Sequence, residues 1–357
     1  MNDGVDEAED PIKAPGVPVA DQRSVFTGRI SSDKLVDNAA TAARPAADTF
    51  GQPASSCLFD RYIMIDWSSR SVPAVGEDSV WLADVYRTEQ NPQEPRNFDT
   101  REACIQYLIE ELQASVKAGH RVLVGFDFAF GYPLGFLEAM RLQSWRDLIQ
   151  YFRDNVHDHA DNQHNRDDFA RAVNQFLGDG PGPFWGPPTA AACNVLPRRR
   201  VGFFAFPYAV NGILLHEFRH TEHATRIQGA TPQSVWKLNQ GVSVGGQTIM
   251  GIGRLAQLLH DVPSATVWPQ LTGWGLPPEH SVVVAEIFPS LIPHHQYLEL
   301  GNPNERCRDS AQMLACCHEA RRLDQPGKLT DFFAQPENIP TELSLRIAHE
   351  EGWILWS

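Results

Sequence analysis

The sequence predicts an α/β fold with a mixed sheet, and three observations lead to this prediction. Short apolar runs at residues 62–66, 122–127 and 282–286 are typical of buried strands. A segment with helical periodicity, residues 100–118, separates the first two runs. A much longer stretch, rich in helix-forming residues, separates the second run from the third. Because ligands of α/β sheets bind at the carboxyl ends of the strands, the residues that end these runs are the first candidates for a functional site.

The amino-terminal part of the chain differs in composition from the rest. Residues 1–56 are rich in Ala, Pro, Asp and Ser and have no sustained apolar period, which predicts a disordered leader. One domain is expected over residues 57–357. It begins with strands at residues 62–66 and 79–85 and a short strand at residues 97–98, and this succession indicates an antiparallel meander.

The elements after the meander complete the predicted domain. Thr100 is expected to cap the next helix, because its hydroxyl can accept a hydrogen bond from a backbone N–H of the first turn. A fourth strand ends at Asp127, and a large helical insertion between strands four and five is predicted at about residues 134–280. The elements predicted from there on are helices at 145–153 and 166–177, a fifth strand at 281–288, and helices at 309–322 and 342–351.

Four acidic residues stand where a predicted strand ends or a predicted helix begins. Asp66, Asp127 and Glu286 end strands, and Asp309 opens a late helix. Any one of them alone would be explained by capping or turn formation, because a short acidic side chain accepts hydrogen bonds from nearby N–H groups. If the four gather at one sheet edge, their repulsion calls for protons or a divalent cation bound through oxygen. The sequence therefore predicts these four as catalytic residues and as ligands of Mg²⁺ or Mn²⁺.

The charge of the chain restricts the classes of partner. The formal net charge is −14 and the isoelectric point is about 5.3. This balance disfavours a protein that grips duplex nucleic acid through a broad basic surface, although it leaves room for a local basic groove. A phosphate-containing substrate, either nucleic acid or nucleotide, remains compatible with it.

Cysteine usage and the lack of targeting signals suggest a compartment. The six cysteines form no C-x-x-C pair and have no zinc-ligand spacing, so we expect reduced thiols in a cytoplasmic protein. The acidic amino terminus does not have the pattern of a secretory signal. No uncharged apolar run is long enough to span a bilayer, and no membrane partner is expected.

The order strand, strand, strand, helix, strand is the opening order of the ribonuclease H-like fold, in which the first and fourth strands are neighbours. Five motifs also resemble an uncharacterised bacterial family related to predicted ribonuclease H-like nucleases, a domain of unknown function. Some members of that family carry labels from cobalamin or molybdopterin cofactor biosynthesis. The resemblance extends from residue 59 to the end of the chain. The motifs that carry it are IDWS at 65–68, GFDFAFGYP at 125–133, SVGGQ at 243–247, AEIFPS at 285–290 and RDSAQ at 308–312.

The resemblance implies a metal-dependent hydrolase. In catalytic members of the wider superfamily, acids on strand one, strand four and a late helix hold two Mg²⁺ ions that promote cleavage of phosphodiesters. Carried over by position, these acids are Asp66, Asp127 and Asp309, with Glu286 as a fourth. The expected function is therefore that of a phosphoesterase or nuclease-like hydrolase.

Several residues are candidates for binding the substrate phosphate. Arg219 and Arg226 recur at helical spacing, so a shared helix face can direct both guanidinium groups to one site, although surface ion pairs are an equally good explanation. Before an amphipathic helix, Ser243 is a predicted cap, and the following glycines can let backbone N–H groups converge on an anion, with plain capping as the alternative. The complete predicted substrate-binding set is Trp67, Ser68, Arg219, Arg226, Ser243, Gly245 and Gln247.

Three other functions remain open from the sequence. The same cleft can belong to a non-catalytic accessory protein that binds a nucleotide or a cofactor precursor, which the acidic isoelectric point favours over a nuclease acting on long polymers. His216 to His220 fit the H-E-x-x-H zinc-protease pattern, with His223 as a third ligand, but chance matches to so short a pattern are common. A sugar or acetate kinase of the related actin-like fold ranks last, because only one set of strand-end acids is present.

Overall fold

A computed structural model describes residues 57–89, 93–200, 204–239, 243–277, 280–293 and 307–357. The predicted disordered leader, residues 1–56, lies outside the described residues. Within the described residues the chain has a mixed α/β fold, with a six-stranded sheet, a two-stranded hairpin and several helices. No helix in this part of the chain is long and apolar enough to cross a membrane.

The central sheet is mixed, as the sequence predicts. Its strand order is β3-β2-β1-β4-β8-β7, while β5 and β6 form the separate hairpin. Strands β1, β2 and β3 pair antiparallel, which confirms the predicted meander, and β1, β4, β8 and β7 pair parallel. The strands are β1 (Arg61–Asp66), β2 (Val80–Tyr86), β3 (Arg96–Phe98), β4 (Val122–Phe126), β5 (Tyr208–Val210), β6 (Ile213–Leu215), β7 (Ala265–Trp268) and β8 (Val282–Glu286).

The sequence analysis did not predict β7. This strand has four residues, all buried, and it pairs with β8 at the edge of the sheet. A run of four residues is too short to show a period, and Pro269 follows it directly. The predicted insertion at about residues 134–280 therefore contains, besides its helices and the β5–β6 hairpin, a strand of the central sheet.

The helices agree with the sequence patterns to within a few residues. Thr100 caps the first helix as predicted, because its Oγ1 accepts a hydrogen bond from the Ala103 N–H at 3.2 Å. Short 3-10 turns lie at Thr189–Ala191, Pro289–Leu291 and Lys328–Phe333. The helices are α1 (Arg101–Lys117), α2 (Phe136–Ala139), α3 (Trp145–Asn155), α4 (Arg166–Leu177), α5 (His220–Ile227), α6 (Gly245–Asp261), α7 (Arg308–Asp324) and α8 (Thr341–Arg346), which a π-helical turn at Ile347–Glu351 extends.

Apolar side chains cover both faces of the sheet. Along β1, Ile63 and Ile65 belong to a core shared with α1, α3, α4 and α6, while Tyr62 and Met64 belong to a second core shared with α7. Successive side chains of a strand point to opposite faces, so this alternation buries the strand on both sides. The faces of the sheet are therefore filled, and the carboxyl ends of the parallel strands are left to form a site.

Candidate functional site

Asp66 and Asp127 lie together at the carboxyl ends of two neighbouring parallel strands. Ile65 of β1 is in register with Phe126 of β4, and the two acids directly follow this pair. Their side chains are close enough to share a hydrogen bond. Asp127 also accepts a hydrogen bond at Oδ1 from the Trp67 N–H at 2.8 Å. The structure thus brings two of the four predicted acids into direct contact.

The environment of this acidic pair favours protonation when no cation is present. Both residues are partly exposed through the cleft, but protein atoms surround their carboxyl groups. Burial raises the pKa of Asp66 well above its ordinary value, and the charge of Asp127 raises it further. Burial also raises the pKa of Asp127 to about 6, although hydrogen bonds from Asp66 and Trp67 lower it. Burial and the mutual repulsion of the two carboxylates therefore favour a proton shared by the pair, which a bound cation would displace.

Asp309, the third predicted acid, faces the Asp66–Asp127 pair. Its charge raises the pKa of both Asp66 and Asp127. The helix α7 begins one residue earlier than predicted, at Arg308, so Asp309 lies in its first turn, where the helix dipole favours a negative charge. Its Oδ2 accepts a hydrogen bond from the Asp78 N–H at 2.9 Å, and burial raises its pKa.

Glu286, the fourth predicted acid, forms an ion pair with Arg219. Its carboxylate accepts hydrogen bonds from Arg219 Nη1 at 2.8 Å and Nη2 at 2.5 Å, and from the Phe130 N–H at 3.1 Å. Glu286 is 3% exposed and Arg219 is 1% exposed. Because the guanidinium neutralises this carboxylate and occupies its oxygens, Glu286 lies in the wall of the cleft but does not join the Asp66–Asp127 pair as a free ligand.

All four acids line one cleft with a volume of about 1030 Å³. Its walls come from the loop after β1, the start of α4, the start of α6, the segment after β8 and the start of α7. Within the described residues, no group of three or more His, Cys, Asp and Glu side chains is arranged to hold a metal ion.

Three of the predicted substrate-binding residues line the cleft and also make structural contacts. The Trp67 ring is buried and packs against Phe126 and Phe128, with centroid distances of 5.8 and 6.0 Å. Ser68 Oγ donates a hydrogen bond to the Asp78 carbonyl at 2.8 Å. Gln247 Nε2 donates one to the Trp67 carbonyl at 2.5 Å. Trp67, Ser68 and Gln247 thus fix the chain after β1.

The start of α6, which the sequence predicted as an anion-binding site capped by Ser243, is shaped by backbone packing instead. The N-cap of this helix is Val244 and makes no side-chain cap, while the Ser243 hydroxyl lies 3.5 Å from the Leu238 carbonyl. The prediction that Ser243 caps the helix is wrong. The Gly245 N–H instead donates to the Lys237 carbonyl at 3.0 Å, and a Cβ at Gly245 would lie 2.4 Å from the Val235 carbonyl oxygen. Glycine is needed at position 245 for this close approach of two backbones.

The two predicted phosphate-binding arginines do not share a helix face. Arg219 is the N-cap of α5, and its Nε and Nη1 also bind Glu222 Oε1 at 2.8 Å and the Glu351 carbonyl at 2.9 Å. The Arg226 guanidinium lies 3.6 Å from the ring centroid of Phe218 and does not line the cleft. Because the guanidinium of Arg219 is occupied by acidic partners, the predicted pair of phosphate ligands is not formed.

The H-E-x-x-H pattern is not a zinc-protease helix. His216 precedes α5 and His220 is the first residue of this helix, so the two do not face a ligand from one helical turn. Glu217, the base of the protease hypothesis, accepts a hydrogen bond from Arg200 Nη1 at 2.9 Å. His216, His220 and His223 line a separate cavity of about 490 Å³. This segment therefore lacks the arrangement that the H-E-x-x-H pattern requires, which is two histidines one turn apart on a helix.

The structure also reveals cleft residues that the sequence analysis missed. Ser69, His164 and Arg166 line the cleft beside the acidic pair. Arg166 Nη1 donates to the Ser69 carbonyl at 3.1 Å, and His164 Nε2 lies 3.3 Å from the same oxygen. The serine-rich run after Asp66 was visible in the sequence, but the partners of its backbone come from residues almost a hundred positions later. No local signal links them.

No family model, no curated protein and no solved structure matches this chain. What the site can do therefore follows from its own residues. Two adjacent carboxyl groups with raised pKa values can hold a proton or a hard cation, and a polar cleft of this size can accept a small ligand.

Proposed function

We propose that this chain is a ribonuclease H-like, metal-dependent phosphoester hydrolase, and that Asp66 and Asp127 hold its Mg²⁺ or Mn²⁺. The observation that carries the proposal is the contact between these two carboxyl groups at neighbouring strand ends, with raised pKa values. The strand order, with an antiparallel meander followed by parallel strands, supports the fold assignment. So does the family resemblance of the five sequence motifs.

The donor set suits a magnesium-like ion. Mg²⁺ keeps several waters and is commonly bound by one or two carboxylates together with substrate phosphate oxygens. The two carboxylates of Asp66 and Asp127 are therefore enough to bind such an ion. Asp309 is near enough for its charge to raise the pKa of both. When bound, the cation supplies Lewis-acid stabilisation of phosphoryl oxygens and lowers the pKa of water.

The protein residues have separate parts in this proposal. Asp66 and Asp127 release their shared proton and act as the anionic ligands, and Asp309 adds negative charge from the facing helix. The Arg219–Glu286 pair holds the start of α5 against the end of β8, so that this cleft wall keeps its shape. The six cysteines are free, which supports a reducing compartment such as the cytoplasm.

The test is calorimetric titration of Mn²⁺ and Zn²⁺ into the metal-stripped protein and into Asp66→Asn. Mn²⁺ binding that disappears in Asp66→Asn is the expected result. Asp167→Asn is the matched control, because Asp167 lines the same cleft but pairs with Arg166 at 3.2 Å. Binding that survives in Asp66→Asn, or weakens equally in the control, contradicts the proposal.

Activity is measured next, with phosphomonoester and phosphodiester substrates in the presence of Mn²⁺. Asp66→Asn should lose hydrolysis while its circular dichroism spectrum matches that of the wild-type protein. A wild-type protein that binds no Mn²⁺ would favour the accessory nucleotide- or cofactor-precursor-binding function instead.

A further inference from the structure

The serine loop, residues 68–71, follows the Asp66–Asp127 pair at the end of β1 and lines the cleft. We propose that this loop, together with Arg166, binds a phosphate group of the substrate. The inference rests on the proposed function of the same cleft and names the element that would hold the substrate phosphate beside the acidic pair.

Two buried arginines donate hydrogen bonds to the backbone carbonyls of the serine loop. Arg101 Nη1 donates to the Ser68 carbonyl at 3.3 Å and to the Arg70 carbonyl at 2.7 Å. Arg166 Nη1 donates to the Ser69 carbonyl between them at 3.1 Å. Three consecutive carbonyl groups are thus directed toward guanidinium groups.

The N–H groups of Ser69 and Ser71 share their peptides with the Ser68 and Arg70 carbonyls, so they point away from the Arg101 guanidinium. In a trans peptide the C=O and N–H bonds point in opposite directions, and the cis peptides of the described chain all precede proline. The Arg70 N–H is bonded to Ser68 Oγ at 3.2 Å. The N–H groups of Ser69 and Ser71 have no hydrogen-bond partner among the described residues. With the two serine hydroxyls, they provide N–H and O–H donors that an anion can accept from.

Arg166 adds a buried positive charge at the same place. It is 4% exposed yet lines the cleft, and its hydrogen bonds use Nε, to Asp167 Oδ1 at 3.2 Å, and Nη1, to the Ser69 carbonyl. Across the described residues, Nη2 makes no hydrogen bond. Arg166 lines the cleft, and the planar fork of arginine matches two phosphate oxygens.

His164 behind the loop is a neutral donor. Its Nδ1 accepts from the Arg166 N–H at 3.4 Å, so the proton is on Nε2, which donates to the Ser69 carbonyl. Burial, together with the charges of Arg166 and Arg101, lowers its pKa. His164 therefore orients the loop without adding charge.

The start of α6 packs directly against this arrangement. A Cβ at Gly246 would lie 3.0 Å from both Ser69 Oγ and Arg166 Nη1. The positive end of a 17-residue helix therefore faces the serine loop. Two acidic side chains also lie here, Asp78 at 3.5 Å from Arg70 and Asp167 at 3.2 Å from Arg166.

The test is titration of inorganic phosphate into the metal-stripped protein at constant ionic strength, followed by ³¹P NMR and calorimetry. The double variant Ser69→Ala/Ser71→Ala should bind phosphate about tenfold more weakly, because two hydroxyl donors are lost. Ser290→Ala is the control, since Ser290 lines the same cleft at the segment after β8. It should bind phosphate like the wild-type protein.

Two further variants keep the result independent of folding and of the metal proposal. Arg166→Gln should also weaken phosphate binding by about tenfold, with its thermal unfolding measured in parallel. Asp66→Asn should keep phosphate binding while losing Mn²⁺, so a failure of the metal site does not imitate a failure of the loop. Unchanged phosphate affinity in the double variant, equal weakening in Ser290→Ala, or no saturable binding by the wild-type protein would each overturn the inference.

Discussion

Arg219 and Glu286 form a buried ion pair in which both guanidinium nitrogens Nη1 and Nη2 bind the carboxylate, at 2.8 and 2.5 Å. The two residues are 67 positions apart in the chain and join the start of α5 to the end of β8. Glu222 binds the same guanidinium at 2.8 Å, and burial raises its pKa. The pair therefore stabilises a cleft wall that no local sequence pattern specifies.

Replacing Glu286 should reduce stability without removing metal binding. In Glu286→Gln the Arg219 charge loses one of its two buried carboxylate partners, and breaking a buried pair costs about 3 kcal/mol. The free energy of unfolding is measured with urea, and Mn²⁺ binding is measured by calorimetry. A variant that loses Mn²⁺ but keeps its stability would show that Glu286 acts as a metal ligand instead.

The metal-stripped protein should lose stability as the pH rises through the pKa values of the acidic pair. Asp127 has a pKa of about 6 in the folded state against an ordinary value of 3.8, and burial raises the pKa of Asp66 well above the same ordinary value. The folded state therefore binds more protons than the unfolded state. This contribution is fully present below the ordinary pKa and is lost as the pH rises through the folded pKa.

Urea unfolding between about pH 5 and about pH 8 tests this dependence. Asp66→Asn, which cannot share the proton, should show a smaller loss of stability over the same range. Glu222, whose pKa burial also raises, is present in both proteins and does not affect the difference. If the free energy of unfolding changes equally with pH in the two proteins, the pair does not share a proton.

Gly245 should be required for packing. In Gly245→Ala the new Cβ would lie 2.4 Å from the Val235 carbonyl oxygen and 2.6 Å from that of Lys237, so backbone must shift. We expect a loss of about 1 to 3 kcal/mol in the free energy of unfolding. Gly253→Ala in the same helix is the matched control, because its Cβ would meet Arg153 at 3.3 Å. Equal stability of the two variants would contradict this packing role.

The carboxylate of Glu351 should hold the pKa of His220 above its ordinary value. The hydrogen bond to Glu351 is the largest cause, with His220 Nδ1 3.0 Å from Glu351 Oε2. Stability from this contact is fully present below the ordinary histidine pKa and is lost as the pH rises through the raised one. Glu351→Gln should therefore lower the pKa of His220 in an NMR titration.

His223 is the internal control for this titration. Burial and the charge of Arg226 lower its pKa, and no hydrogen bond to Glu351 contributes to it. Its pKa should move much less than that of His220 in Glu351→Gln. Parallel movement of both histidines would indicate a general change of charge in place of the specific contact.

The sequence by itself determined the features that depend on neighbouring residues. The apolar runs that form β1, β4 and β8, the Thr100 cap and the acids that follow the strands were all predicted, because periodicity and capping act within one or two turns of chain. Parallel pairing of the first and fourth strands then brings Asp66 and Asp127 together.

Only the tertiary structure decided which polar groups have partners. Glu286 and Asp127 look alike in the sequence, since each ends a buried apolar run. In the structure, however, Glu286 forms an ion pair with Arg219, whereas Asp127 contacts Asp66. Likewise, Arg166 reaches the serine loop from 97 positions away. Hydrogen bonds and ion pairs depend on the final approach of distant segments, and burial makes each of them strong or costly. For this reason the positions of the strand ends could be predicted from the sequence, and the partner of each carboxylate could not.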